Sequence, residues 1–369
     1  MKPLFYNSLS SLKQNRITAI LSDCISCNVT EERNSIFECI FIYPIVGQNF
    51  ELIKKGAYIG VKCNNATDIQ YFRIYRKSGN ESGSVTFYCE HISYLLNGKI
   101  VLPFKIKGIN LSPQKALDNI KSNILPNGIG WEFVADDDIN DRSQSFKGFD
   151  MPVTVREALL SDNGLINMPM WKQGEFEFNN QKIIFHLNRG KDTDIVFYYK
   201  SNIKGLEYDE SIGDVYTHIF PYLTYDNEND EKNIIYLKNH ILPLPNSEKY
   251  DEIRVKAVNY GEWSGTLDGA DSFLSYNAQN DIKYGKYQYD IPALEINISY
   301  ADFLNSAEYI NKGFNHVTVR SIHLCDYINV FYLPLKVSLK AQITRTVYDV
   351  LKESFTELRL SNPQSIAVG

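Results

Sequence analysis

Residues 346–362, "TVYDVLKESFTELRLSN", admit two readings that lead to different folds. Val347, Leu351, Phe355 and Leu358 recur at steps of four, four and three, which makes one apolar stripe if the segment is helical. The preceding "KVSLKAQITRTV" instead alternates Val337, Leu339, Ala341 and Ile343 against Ser338, Lys340, Gln342 and Thr344, the period of a half-buried strand. Continued as a strand, the chain turns at Asp349 and returns as "SFTELRLS". Local pattern alone favours the helix.

Bulk properties narrow the choice. A chain of 369 residues exceeds what one hydrophobic core usually holds, so two or more domains are expected. Its 25 Tyr and 20 Phe, with many Ile, Val and Thr, suit pleated, half-buried surfaces and predict a strand-rich protein. The net charge of -6 argues against phosphate binding as the main task, because nucleic-acid affinity comes largely from Lys and Arg. The N-terminus lacks the apolar run of a secretory signal, and no segment reaches the ~18 apolar residues of a membrane span. A soluble protein folded in the cytoplasm is expected. Cys24, Cys27, Cys39, Cys63, Cys89 and Cys325 are scattered and read as small buried hydrophobes. The Cys24-x-x-Cys27 pair falls in an alternating stretch, which would put the two thiols on opposite strand faces, and no second pair follows to complete a metal site.

Along the chain, residues 17–43 read as a hairpin turning at "RNS" with a loop of two or three residues, followed by strands in "AYIGVKC", "IQYFRIYRK" and "SVTFYCEHI". Near residue 108 the texture changes. "LSPQKALDNIKSNI" predicts a helix with Ser112 as N-cap and Pro113 at its first position, and "VTVREALLS" a second one capped by Thr154. "GEFEFNNQKIIFHLNRG" reads as a hairpin around an Asn-Asn turn. Residues 226–290 are polar and tyrosine-rich and read as solvated loops around short strands, before a last strand-rich block.

No catalytic motif emerges. "ADDDINDR" places Asp136, Asp138 and Asn140 like a calcium loop, but Asp141 stands where glycine is needed and Lys147 where a bidentate glutamate is needed. "NGIGWEF" lacks the third glycine of a dinucleotide fingerprint, "GEWSG" around Ser264 is not G-x-S-x-G, and the histidines include no H-E-x-x-H; His316 and His323 are seven apart. A glycosidase carboxylate pair leaves no local signature, so the 44 acidic residues read as surface carboxylates. No catalytic, cofactor or metal residue is assigned.

The order of segments carries more than any one of them. "SCNVTEERNSIFECIFIYP", "LIKKGAYIGV", "QYFRIYRK" and "YCEHISYLL", then "TVREALLS", "GEFEFNNQKIIFHLNRG", "YKSNIKGLEY" and "YTHIFPY", and finally "EINISYADF", "IHLCDYINV" and "YDVLKESFTELRLS" together resemble the prophage endopeptidase tail, or phage minor structural protein, family. The resemblance runs from about residue 17 to 362. It implies a β-rich α+β fold: two tail-tube-like antiparallel β-barrels with two inserted smaller domains, α/β or β. The first barrel would span 1–107, the α/β insert 108–200, the second barrel 201–225 and 291–362, the tyrosine-rich insert 226–290, and a C-terminal tail 363–369. Pro44, His91, Tyr94, Pro221 and Asp326 match family motifs as structural positions, the motif at His91, Ile92, Tyr94 and Leu95 closing the first barrel. The resemblance also resolves the opening segment as a hairpin, with Asp349 first in a type I turn.

Three departures bear on this. Cys325-Asp326 replaces the family's Gly-Asp, which questions a turn with positive φ, and His218 stands where a basic residue follows the threonine of "YTHIFPY". Larger relatives continue into a peptidase, lysozyme-like or receptor-binding region that this sequence does not include, so no enzymatic activity is expected. By resemblance the protein is a structural baseplate hub or tail-tip component of a phage or prophage, located in the virion tail tip and assembled in the bacterial host cytoplasm. It would form a homotrimer, contact the distal tail protein ring, cap the channel holding the tape-measure protein, adjoin a receptor-binding or lytic tip protein, and let genomic DNA pass without specific binding. An acidic conduit would repel phosphate. The rival reading is a cell-wall polysaccharide-binding or hydrolysing protein, suggested by Phe273, Tyr276, Tyr284, Tyr287 and Tyr289.

Overall fold

The computed structural model describes residues 1–64, 68–79, 81, 83–106, 111–127, 130–136, 146–161, 163–167, 174–198, 203–226, 232–263, 265–283, 289–300 and 322–365. They divide into two compact units: Met1–Glu207 with Ile296–Gly369, and Tyr208–Glu295.

The opening segment is a hairpin. Val337–Asp349 and Ser354–Ser365 pair antiparallel, with Tyr348 opposite Phe355 and Asp349 opposite Ser354. Asp349 Oδ1 accepts from the backbone N–H groups of Leu351 (3.0 Å) and Lys352 (3.1 Å), and Glu353 leaves the turn at φ 54°. An aspartate carboxylate thus does the work of a backbone acceptor in the turn. The helical stripe has a simple origin: the register slips so that Val347 faces Glu357 while Tyr348 faces Phe355, leaving Thr356 as an extra residue. That bulge brings Phe355 and Leu358, three apart, to the same buried side, and an i, i+3 spacing results without a helix.

Val337–Asp349 is also the hinge of the large sheet. Its second half pairs with Ser26–Glu32 (Arg345 opposite Glu32, Tyr348 opposite Val29) and its first half with Tyr327–Tyr332, to which Asp192–Tyr198 adds in parallel. From Ser26–Glu32 the sheet continues through Phe37–Pro44, Ser84–His91, Ile69–Gly79, Tyr58–Lys62, Leu4–Tyr6 and Ala19–Ile20; on the other side it runs through Ser354–Ser365 and Ala293–Tyr300 to Ile203–Ser211. Strands of both expected barrels therefore share one 13-stranded sheet, and among the described residues this sheet does not close into either ring. Strict alternation explains the burial. Phe37, Cys39, Phe41 and Tyr43 point inward from one strand and Phe87, Cys89 and His91 from its neighbour, and Phe41 and Phe87 stack at 4.8 Å.

Both predicted helices form where expected. Pro113–Ser122 starts at Ser112, whose side chain accepts from Lys115 N, and Val155–Leu160 starts at Thr154 with a reciprocal capping box to Glu157. The predicted hairpin is Glu175–Asn179 with Lys182–His186, and Glu132–Ala135 joins it in parallel. Helix Pro113–Ser122 buries Ala116, Leu117 and Ile120, and its Gln114 bonds Phe133 O and Ala135 N on that third strand.

Other expectations need correction. The first hairpin spans Ser26–Glu32 and Phe37–Pro44 rather than starting at 17, because Ala19–Ile20 pairs instead with Leu4 and Phe5. Its loop holds four residues, 33–36, with Asn34 at φ 56°. Cys24 lies ahead of the strand, so the opposite-face argument fails: Cys24 and Cys27 are both buried. Segment 201–225 divides, Ile203–Ser211 lying in the large sheet and His218–Asp226 at the centre of a separate one.

In the unit Tyr208–Glu295, His218–Asp226 pairs antiparallel with Lys232–Tyr236 and Leu242–Pro243 and parallel with Val255–Glu262. Residues 267–283, read from sequence as loop and short strand, form the helix Leu267–Lys283. Its Ala270, Leu274 and Ala278 pack on Ile219, Leu223, Leu237 and Leu244. Small residues at that face hid the amphipathic period from an argument based on large apolar side chains.

Candidate functional site

Of the positions singled out by resemblance in the large unit, His91 and Tyr94 lie together at the end of strand Ser84–His91, whereas Pro44 and Asp326 lie elsewhere. His91 is fully buried, stacked on Phe37 at 4.2 Å and edge-on to Phe72 at 5.4 Å. Its Nδ1 accepts from Ser93 N (3.3 Å), which starts the 3₁₀ turn Ile92–Gly98, and its Nε2 meets Gln70 Oε1 at 3.2 Å. With an acceptor role at Nδ1 and a donor role at Nε2, the ring is neutral. Burial, with the Arg156 charge adding to it, holds its pKa down at about 3. One turn on, Tyr94 accepts from Phe37 N through its hydroxyl (3.3 Å) and lies under the Arg156 guanidinium at 4.2 Å. Arg156 comes from helix Val155–Leu160, also covers Phe178 at 5.1 Å, and donates to Ser35 O at 2.6 Å. His91 and Tyr94 thus act together on Phe37. Pro44 sits at the far end of the same strand opposite Ser84, beside the close turn at Gly47.

Two asparagine side chains join the hairpin Glu175–His186 to the first strands. Asn180, at φ 50° in the hairpin turn, accepts from Tyr71 N (3.0 Å) and donates to Ile69 O (2.9 Å). Asn34, in the first hairpin loop, accepts from Phe176 N (2.8 Å) and donates to Gly174 O (3.1 Å). Each amide copies the donor–acceptor pair of a backbone peptide and adds one rung of ladder where no strand lies. Gln70 couples this joint to the core, because its Oε1 accepts from Asn180 N as well as from His91.

Charged groups complete the junction. Arg189 pairs with Glu31 at 2.8 Å, and although burial opposes its charge the Glu31 carboxylate keeps its pKa above the ordinary value. Arg33 hydrogen-bonds Gln342, whose amide donates to the buried Glu175 at 2.7 Å. His186 bridges Asp136 (Nδ1, 2.9 Å) and Glu177 (Nε2, 3.0 Å); burial works against protonation, but the two carboxylates outweigh it and raise the pKa. Asp326 is buried and accepts from Lys191 N and His323 N, both at 3.0 Å, so it ties the late turn to the segment after the hairpin. Cys325 adopts φ 74°, so the positive-φ turn questioned from sequence is present with cysteine in it. Its carbonyl presses on Gly190, where a Cβ would stand 1.7 Å away.

Between these elements lies a cleft of about 380 Å³ lined by Glu31, Glu177, Arg189, Lys191, His323 and Asp326 among others. Most of its charged groups already bind each other or backbone, an arrangement suited to holding three chain segments in register. Among the described residues no group of three or more His, Cys, Asp or Glu side chains is placed to hold a metal ion. Asp138, Asn140 and Asp141 lie outside those residues, as do Ser264, His316, Tyr284 and Tyr287. All six cysteines are free and buried; Cys27 and Cys39 approach to 3.5 Å, and burial, opposed by the Cys27 hydrogen bond and helped by the Cys89 and Cys63 thiols, pushes Cys39 up to about 11. Pro221 belongs to the other unit, inward-facing and buried opposite Val258.

Sequence reading missed Arg156, Gln70, Arg189, Glu175 and Gln342. The only local signal for them was the Asn-Asn turn, since each partner stands far away in sequence.

No protein-family model matches the chain, and no curated protein matches it in sequence. Solved structures do match in fold. The prophage tail protein gp18 from Listeria monocytogenes EGD-e aligns over 98% of this chain and 94% of its own, with TM-score 0.63 and 17% identity. A tail protein from Neisseria meningitidis MC58 aligns over 98% and 97% (TM-score 0.54, 10% identity), and the 43 kDa tail protein of prophage MuSo2 from Shewanella oneidensis over 94% and 96% (TM-score 0.53, 10% identity). From end to end, the chain has the fold of phage and prophage tail proteins.

Proposed function

We propose that this protein is a structural component of a phage or prophage tail, acting as the baseplate hub or tail-tip ring. The observation that carries this reading is the near-complete two-way coverage against three tail proteins, inserts included, rather than a match over one strand block. The charged joint supports it: its ion pairs hold chain segments together instead of activating a nucleophile or water.

In this role the two strand blocks serve as tail-tube-like barrels, and three copies form a ring under the distal tail protein. The ring caps the channel around the tape-measure protein, meets a receptor-binding or lytic tip protein below, and opens for DNA. Closed threefold symmetry satisfies sheet edges that would otherwise invite aggregation. The role is structural and needs no enzymatic step.

The test is mass in solution by size exclusion with light scattering over a range of concentrations, with negative-stain imaging of the main peak. A trimer forming a ring with a central hole is expected. A monomer at every concentration, unchanged by added distal tail protein, would overturn the hub role.

A further inference from the structure

In the small sheet of Glu132–Ala135, Lys182–His186 and Glu175–Asn179, the middle strand ends on a histidine that reaches both neighbours. His186 Nδ1 lies 2.9 Å from Asp136 Oδ2, one residue past the edge strand, and its Nε2 lies 3.0 Å from Glu177 Oε2 on the other strand of the hairpin. An ionised carboxylate only accepts hydrogen bonds, so two of them, one at each ring nitrogen, are satisfied together by an imidazolium that donates twice. A neutral ring has a single N–H and turns a lone pair toward the other carboxylate. One contact is then lost, and the surroundings decide which.

Glu177 sits within its strand opposite Ile184 and also draws on the positive charges of Arg189 and His323. Asp136 lies beyond the last paired residue of its strand, and its side chain is 42% exposed against 30% for Glu177. Among the described residues no second side chain bonds the Asp136 carboxylate. The strand behind it is short: four residues in parallel pairing, with Asp136 N donating to Phe185 O at 2.9 Å and Gln114 of helix Pro113–Ser122 bonding Phe133 O and Ala135 N. Asp136 is therefore the partner that leaves.

We propose that His186 is a proton-operated latch on this strand: charged, it fastens Asp136 to the hairpin, and neutral, it keeps Glu177 and lets the strand end go. The other charged groups around it are already engaged. Glu175, directly opposite His186 in register, accepts from Gln342 and from Arg189 N; Lys182 pairs with Glu132; and Asp118 of the helix accepts from Gln114. Burial opposes the charge on His186, but the hydrogen bonds to Glu177 and Asp136 outweigh it and raise its pKa above the ordinary 6.5, while the same bond holds Glu177 below its usual range. The latch is closed below about 6.5 and opens as the pH rises through the raised value, the proton passing to solvent. It does not depend on the tail role proposed above.

The experiment is pulsed amide hydrogen exchange of the full chain at pH 6 and pH 8.5, read by mass spectrometry as protection factors, which remove the chemical effect of pH on exchange. Residues 133–136 are compared with residues 84–91 of the large sheet. Between the two pH values the first segment is expected to lose at least about threefold in protection relative to the second. His186→Gln and Asp136→Asn, with unchanged far-UV circular dichroism, should show no such loss, and the wild-type His186 ring resonance should titrate above 6.5. The inference is overturned if the wild-type ratio is the same at both pH values, if the loss survives in either variant, or if the ring titrates at or below 6.5. It also fails if residues 175–179 lose protection while 133–136 keep it, which would make Glu177 the partner released.

Discussion

Lowering the pH from 7 to 5 should cost this protein stability through His91, and the amount follows from its surroundings. The ring is fully buried between Phe37 and Phe72, its Nδ1 faces the Ser93 N–H, and its pKa falls from the ordinary 6.5 to about 3. The folded state therefore refuses a proton that the unfolded chain accepts below about 6.5. Stability from this group is present above 6.5 and is lost as the pH falls toward 3, at about 1.4 kcal/mol per pH unit. Between pH 7 and 5 that amounts to roughly 2 kcal/mol. His186 has the opposite sign, its raised pKa giving stability that is lost as pH rises, and it is common to both proteins compared. Urea unfolding of the wild type and His91→Gln at the two pH values, followed by far-UV circular dichroism, gives the difference. The variant starts weaker, having lost the stack on Phe37, but should lose about 2 kcal/mol less on acidification. An equal loss in both proteins would refute the reasoning, as would a His91 ring resonance titrating near 6.5.

Two further outcomes follow from the joint. Asn180→Asp keeps a residue tolerant of left-handed backbone and the acceptor for Tyr71 N, but removes the donor to Ile69 O; a loss of about 1–3 kcal/mol in urea unfolding is expected, and a change under 0.5 kcal/mol would remove the clamp's importance. Gly190→Ala puts a methyl group 1.7 Å from the Cys325 carbonyl and should cost at least about 3 kcal/mol or abolish soluble expression, whereas a wild-type midpoint would show that the turn at Cys325 moves freely.

Short-range chemistry was legible in the sequence. Ser112 with Pro113, Thr154 as the cap of the second helix, the Asn-Asn turn and the alternation of Val337 to Ile343 each determine local structure through neighbours within a few residues, and each forms as read. The order of such segments was enough to suggest a tail-protein architecture. Where the pattern misled, a partner outside the window decided. The spacing of Phe355 and Leu358 imitates a helix because a bulge at Thr356 adds a residue against Val347–Tyr348, and helix Leu267–Lys283 escapes notice because the sheet it covers accepts alanines.

Only the tertiary structure could place His91 beside Gln70, Asn34 against Phe176, Glu31 on Arg189, or Tyr236 opposite Tyr222. Those contacts join residues as far apart as 158 positions (Glu31 to Arg189). A side chain's burial, protonation and partners depend on what the fold brings to it, so the sequence by itself determined the elements and their turns, while the long-range pairing of strands decided which residues share a joint.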